Sequence, residues 1–188
     1  MQNVEEYFKG VLNFSDEDFK FLASKMKRVE FSKKSEITKI GRVERYLSFL
    51  EEGVVRLYIP KEENDLTFAF VFKNSFVSAY DSFLKQSPSE YSLASITDCV
   101  MYRMEYDDVQ EIFNSTSIGN RIGRLATEEL FLKKAKRELD LLNKNAEERY
   151  LSLFTERPEL IKEIPLKFIA SYIGITPQAL SRIRKRII

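Results

Sequence analysis

The chain has 188 residues, 44% hydrophobic and 31% charged, with 30 Lys and Arg against 29 Asp and Glu, the profile of a folded protein of one large or two small domains. It contains no His and a single cysteine, Cys99, which removes His-dependent triads, His-ligated metals, four-thiolate iron–sulfur clusters and any internal disulfide. No phosphate-cradling glycine loop is present and no carboxylate pair stands out, so the chain is read as a non-enzyme for which no cofactor or metal is certain.

The N-terminal sequence MQNVEEYFKG is not that of a signal peptide, and no apolar run nears the ~20 residues that cross a bilayer. With one cysteine, this sets the expectation of a cytoplasmic protein without a membrane part. Tyr7, Phe8, Val11 and Leu12 recur at helical spacing, and Ser15 opens a second helical run with Asp18 placed as in a capping box.

From about Phe31 to Glu105 the period changes to two. YLSFLEEGVVRLYI reads as two strands turning at Glu51-Glu52-Gly53. In DLTFAFVF, Leu66, Phe68, Phe70 and Phe72 alternate with Thr67, Ala69 and Val71. YSLASITDCVMYRME gives another pair turning near Thr97-Asp98. Between them lies a helical turn expected over Val77 to Leu84 and a polar loop around Ser87-Pro88-Ser89. Short strands at this spacing predict an antiparallel sandwich or barrel.

After Tyr106-Asp107-Asp108 the helical period returns. Ile118, Ile122, Leu125, Glu129, Leu132, Lys136 and Leu139 fall at alternating steps of four and three, a coiled-coil seam with two charged positions. Two readings stay open: a helix that pairs with a second copy, or one packed on its own sheet through Leu130, Phe131 and Leu142. Asparagines at 143 and 145 mark a boundary, followed by a helix over Ala146 to Thr155 and a stop at Pro158.

The last stretch carries the strongest signal. Pro165 to Ile188 holds Lys167, Arg182, Arg184, Lys185 and Arg186 and no acid, a charge of +5, so residues 1–164 carry −4. Such polarity points to a polyanion at one end. Ala170 is small where two helices cross, and Gly174 follows four positions later where a helix-turn-helix needs positive φ. Thr176 is a natural N-cap and Pro177 a natural first helical residue. Leu180, Ile183 and Ile187 form one face of the second helix; Gln178, Ser181, Arg182 and Lys185 form another. Gln178, Ser181 and Arg182 are placed to read bases. Lys167, Ser171, Thr176, Arg184, Lys185 and Arg186 are placed to hold phosphates.

RYLSLFTERPELIKEIPLKFIASYIGITPQALSRIRK resembles the C-terminal region of Crp/Fnr-type bacterial transcription regulators, and most closely their short-tailed subgroup common in the Bacteroidetes. The resemblance runs through the whole chain in order, loosest in the strand region. It implies an α+β fold: an antiparallel β-roll of the cyclic-nucleotide-binding type with N-terminal helices over 1–112, a long dimerisation helix over 113–142 and a helix-turn-helix domain over 143–188. It further implies a homodimer on a palindromic duplex, with half-site centres about 34 Å apart, and contact with RNA polymerase. The seam residues Ile118, Ile122, Leu125, Glu129, Leu132 and Leu139 would then pair the two copies.

Gln178 and Arg182 match positions that touch bases in members of the family, whereas Pro177 stands where some carry an arginine. Ile188 follows the recognition helix closely, so the β-hairpin wing of many members is expected to be missing. The cassette that holds cyclic nucleotides in relatives corresponds to Val77, Ser78, Ala79 and Tyr80, then Ser89, Glu90 and Tyr91. No Lys or Arg occurs between Lys85 and Arg103, and a buried Glu90 would repel a phosphate. Cyclic AMP bound in the standard way is therefore not expected, and two readings of the roll stay open: another small-molecule effector lined by these residues, or an interior filled by its own side chains. The alternative from another class is a small-molecule-binding β-roll whose basic tail contacts a protein partner.

Overall fold

The computed structural model describes residues 2–11, 15–116 and 119–187. Leu12 of the first helical run and Ile118 of the seam lie outside the described residues. The elements run α1 (Gln2–Val11), α2 (Asp16–Lys25), β1 (Lys27–Phe31), β2 (Glu36–Thr38), β3 (Tyr46–Glu52), β4 (Val54–Ile59), β5 (Leu66–Phe72), β6 (Ser75–Val77), α3 (Tyr80–Lys85), β7 (Ser92–Ser95) and β8 (Cys99–Glu105), followed by α4 (Tyr106–Ser115), α5 (Gly119–Asn143), α6 (Ala146–Glu156), α7 (Pro158–Glu163), α8 (Leu166–Tyr172) and α9 (Pro177–Ile187). The class is α+β, with an antiparallel β core, a long helix and further C-terminal helices.

Two four-stranded sheets, ordered β1-β8-β3-β6 and β2-β7-β4-β5, make the roll. Strand β8 is central, pairing β1 from Lys27↔Arg103 to Phe31↔Cys99 and β3 from Tyr46↔Glu105 to Glu52↔Val100. Strands β3 and β4, adjacent in sequence, lie in different sheets, as do β7 and β8. Both expected turns are therefore corners between sheets. They meet at Gly53, whose φ is +95° and where an added Cβ would sit 2.3 Å from the Asp98 carbonyl oxygen. Only glycine fits both demands.

Period two sorts β8 into two faces. Tyr102 and Met104 join Phe49 in a core with Val4 and Phe8 of α1, Phe19 and Leu22 of α2, Val109 and Ile112 of α4 and Ile122 of α5. Cys99, Met101 and Arg103 take the opposite face. Ser15 caps α2 by accepting from the Asp18 amide at 3.0 Å.

Several boundaries differ from the sequence reading. Val77 is in β6, paired to Ser48, and the short helix starts only at Tyr80. The helix expected over 113–142 is two helices: α4 ends at Ser115, Thr116 is extended at φ −127°, and α5 begins at Gly119. The Thr116 hydroxyl donates to the Ile112 carbonyl at 2.8 Å and accepts from the Gly119 amide at 2.9 Å, which builds the break. Pro158 ends one helix but also begins α7, where its missing N–H costs nothing.

The chain divides into two compact units, Met1–Leu57 with Phe70–Thr127, and Tyr58–Ala69 with Glu128–Ile188. The loop between β4 and β5, with its flanking strand ends, thus groups with the C-terminal helices. Among the described residues no helix is long and apolar enough to cross a membrane.

Candidate nucleic-acid interface

Local sequence builds the C-terminal pair of helices. Gly174 takes φ +81° between α8 and α9, and the Ile175 amide reaches back to the Ala170 carbonyl at 3.0 Å. The Thr176 hydroxyl accepts from the Ala179 amide at 3.2 Å, capping α9. Ile169, Ala170, Ile173, Leu180 and Ile183 are buried between the helices, and their burial leaves the other face of α9 outward. On that face Gln178, Ser181, Arg182, Lys185 and Arg186 are exposed.

The remaining predicted phosphate residues are less uniform. Lys167 is exposed, its ammonium 4.8 Å from the Phe168 ring centroid. Arg184 is half-buried and its Nε has no hydrogen-bond partner. Arg186 pairs with Glu147 of α6 at 2.7 Å. Ser171 departs most: its hydroxyl donates to the Asp65 carbonyl and accepts from the Thr67 amide at 2.8 Å. Both bonds run to the β4–β5 segment, so this hydroxyl is occupied in the structure rather than offered to a phosphate.

Two arginines that the sequence reading missed hold the end of α8. Arg149 Nε donates to the Ile173 carbonyl at 2.9 Å. Arg137 donates to the Tyr172 carbonyl at 2.8 Å with its guanidinium 4.1 Å from the Tyr172 ring centroid. Cations suit the last carbonyls of a helix, but these lie 24 and 35 positions upstream, where no local pattern exposes them.

The seam also needs correction. Ile122 and Leu125 pack into the core of their own unit. Lys136 is exposed and paired with Asp140 at 2.8 Å and Glu156 at 3.0 Å, and the hydrogen bonds it donates, to Asp140 first and then to Glu156, raise its pKa. Leu132 and Leu139 of the expected seam are 66% and 55% exposed, and Phe131, Leu141 and Leu142 add exposed apolar surface on the same helix at 68%, 41% and 75%. Leu132, half-buried Ala135, Leu139 and Leu142 keep coiled-coil steps of three, four and three, sharing two positions with the expected seam and taking Ala135 in place of Lys136. Glu129, also expected on the seam, is exposed and pairs with Lys133 at 2.5 Å.

In the other unit, the expected effector cassette is closed by its own hydrogen bonds. Val77, Ser78, Ala79 and Ser89 are buried, and Tyr80 and Tyr91 half-buried. Ser78 donates to the Tyr46 carbonyl at 2.9 Å and Ser89 to the Tyr91 carbonyl at 2.8 Å. The Tyr91 hydroxyl donates to Asp81 at 2.6 Å; burial first, then this bond, raises its pKa. Glu90 is exposed, so the expected repulsion by a buried Glu90 does not arise.

The acid inside the roll is Glu44, 3% exposed. It accepts from the Tyr46 amide at 3.0 Å and from the Thr38 hydroxyl. Arg103 lies 3.7 Å away, in ion-pair range but beyond hydrogen-bond reach. Its guanidinium stacks 3.8 Å from the Tyr46 ring centroid, and burial lowers its pKa. Arg103 shares the inward period of Cys99 and Met101 on β8, the one sequence signal that could have found it. With the cassette serines committed to backbone carbonyls, the Tyr91 hydroxyl to Asp81 and the Arg103 guanidinium matched by Glu44, these residues do not fit a cyclic phosphate held in the arrangement the family resemblance implies.

Residues 28–116 match the family model of the cyclic nucleotide-binding domain. Comparison with curated protein sequences finds no match. Solved structures share the fold across nearly the whole chain. The c-di-GMP-responsive global regulator CLP of Xanthomonas campestris matches with a TM-score of 0.71 at 16% identity, covering 92% of this chain and 91% of that one. A candidate Crp/Fnr-family transcriptional regulator from Eubacterium rectale matches at 0.73 and 15% identity, covering 96% and 87%. The catabolite activator protein of Thermus thermophilus matches at 0.58 and 18% identity, covering 96% and 85%. The fold is shared with these solved regulators.

Proposed function

We propose that this protein is a sequence-specific, duplex-DNA-binding transcription regulator of the Crp/Fnr type, acting in the cytoplasm as a homodimer on a palindromic site. The observation that carries the reading is the division of α9: Leu180 and Ile183 are buried while Gln178, Ser181, Arg182 and Lys185 stand together at the surface. Arg182 reads a guanine edge and Gln178 an adenine edge. Lys167, Thr176, Arg184, Lys185 and Arg186 supply phosphate contacts, and with them affinity that falls steeply with salt. The Leu132–Leu142 stripe on α5 is covered by a second copy, which sets two α9 helices against two half-sites. The roll senses something other than a cyclic nucleotide bound in the standard manner, and contact with RNA polymerase turns binding into regulation.

Arg182→Ala is expected to lose about 1–3 kcal/mol of discrimination at one base pair per half-site. Lys185→Ala weakens every sequence alike and flattens the salt slope by about one. Titrating both variants against specific and random duplexes separates the roles; equal losses on both duplexes would contradict the assignment.

A further inference from the structure

The segment Tyr58–Ala69, which leaves the roll as the end of β4 and returns as the start of β5, belongs with the C-terminal helices, and its grip on α8 has three parts. The Ser171 hydroxyl is used in both directions, donating to the Asp65 carbonyl and accepting from the Thr67 amide. Arg137 of α5 bridges the same two elements, reaching the Thr67 carbonyl at 3.5 Å and the Tyr172 carbonyl at 2.8 Å. Thr67 is 2% exposed while its neighbour Leu66 is 49% exposed, the reverse of what hydrophobicity alone dictates.

The loop at the tip reads Lys61-Glu62-Glu63-Asn64-Asp65, one cation against three acids, and Glu62 and Glu63 are exposed. Ser171 is four residues after Lys167, so both lie on one face of α8, a turn apart. A loop fastened at Ser171 therefore brings an acidic stretch of chain to α8, the helix that also carries Lys167. Fields of this kind reach about 8 Å at physiological ionic strength.

We propose that the β4–β5 loop is an autoinhibitory clasp: fastened to α8 through the Ser171 hydroxyl, it sets acidic charge against incoming DNA phosphates, and releasing it raises duplex affinity. The proposal rests on the DNA-binding reading above and adds its control. Because the loop is continuous with two strands of the roll, any displacement of β4 or β5 pulls directly on the clasp. Movement in the sensor strands becomes a change in the charge facing DNA.

Two variants of the full chain test it. Ser171→Ala removes the fastening; Glu62→Gln with Glu63→Gln keeps the fastening and removes the charge. Amide hydrogen exchange at Thr67 should accelerate in Ser171→Ala and stay slow in the double variant. Affinity for a random-sequence duplex pool at low salt should rise in both, by roughly threefold to tenfold for Ser171→Ala, the factor a net hydrogen bond is worth. Unchanged exchange at Thr67 in Ser171→Ala would mean that no clasp forms in solution. Faster exchange with equal or weaker duplex binding would overturn the inhibitory role while leaving the DNA-binding reading standing. A protein that binds no duplex at low salt, in wild type and both variants, would defeat that reading and the clasp's function with it.

Discussion

Glu44 and Arg182 show how differently the two compact units treat charge. Glu44, 3% exposed, is enclosed by the Tyr46 amide, the Thr38 hydroxyl and the Arg103 guanidinium. Ser78, Ser89 and Tyr91 are likewise satisfied within the roll. Arg182 stands on an exposed face with Gln178, Ser181 and Lys185, above a helix start that is already capped. Apart from the buried Arg103 Nε, which has no hydrogen-bond partner, the polar groups named in the roll answer one another inside the fold. The α9 face aligns donors and cations at the surface, the arrangement that suits a partner bringing acceptors.

This contrast can be broken from either side. The largest effect is expected in the roll: Arg103→Met leaves Glu44 enclosed without its countercharge and should cost about 3 kcal/mol in denaturant unfolding. No loss would show that Thr38 and Tyr46 alone suffice to hold the carboxylate. In the helical unit the corresponding changes are smaller because water can substitute. Asn145 caps α6 by accepting from the Glu148 amide at 3.0 Å while Glu148 returns a bond to the Asn145 amide at 2.8 Å. Asn145→Ala should cost about 1 kcal/mol, and thermal melts of the two proteins measure it.

The smallest effect is a pH dependence in the cluster of Lys136, Asp140, Lys144 and Glu156. A hydrogen bond from Lys136 holds the Glu156 carboxyl below its usual value near 4.5. A group whose pKa falls on folding binds fewer protons folded than unfolded, so its contribution is present above the unfolded value and lost as pH drops through the folded one. The melting temperature of the C-terminal helices should therefore decline on acidification below about 4.5. The decline stays modest because Lys136 and Glu156 are exposed and screened. Lys136→Ala should shallow it, and a slope unchanged by that substitution would place the source elsewhere.

What was legible in the sequence was what neighbouring residues decide among themselves. Gly174, Thr176 and Pro177 fix a turn, a cap and a helix start within four positions, and the structure has all three. Ser15 with Asp18 acts in the same way. The errors arose where the deciding partner is distant. Ser171 looked like a phosphate ligand because its partners, Asp65 and Thr67, lie more than a hundred residues upstream. Lys136 fits a heptad count, but it is taken up by Asp140 and by Glu156, twenty residues on, while Leu132 and Leu139 keep their places on the exposed apolar stripe. Glu90 was placed by its proximity to Ser89 in sequence, whereas the buried acid, Glu44, is recognisable only from the strand that brings Arg103 to it. Gly53 belongs to both groups. The turn was visible locally, but its role as a corner between sheets depends on Asp98.

The measurement that bears most directly on the account is a selection of bound duplexes from a random DNA pool, using the full chain with no added ligand. The account predicts an enriched palindrome with half-sites one helical turn apart, lost when Arg182 is replaced by Ala. A pool that stays random, with no retention of duplex even at low salt, would contradict the claim that α9 reads DNA.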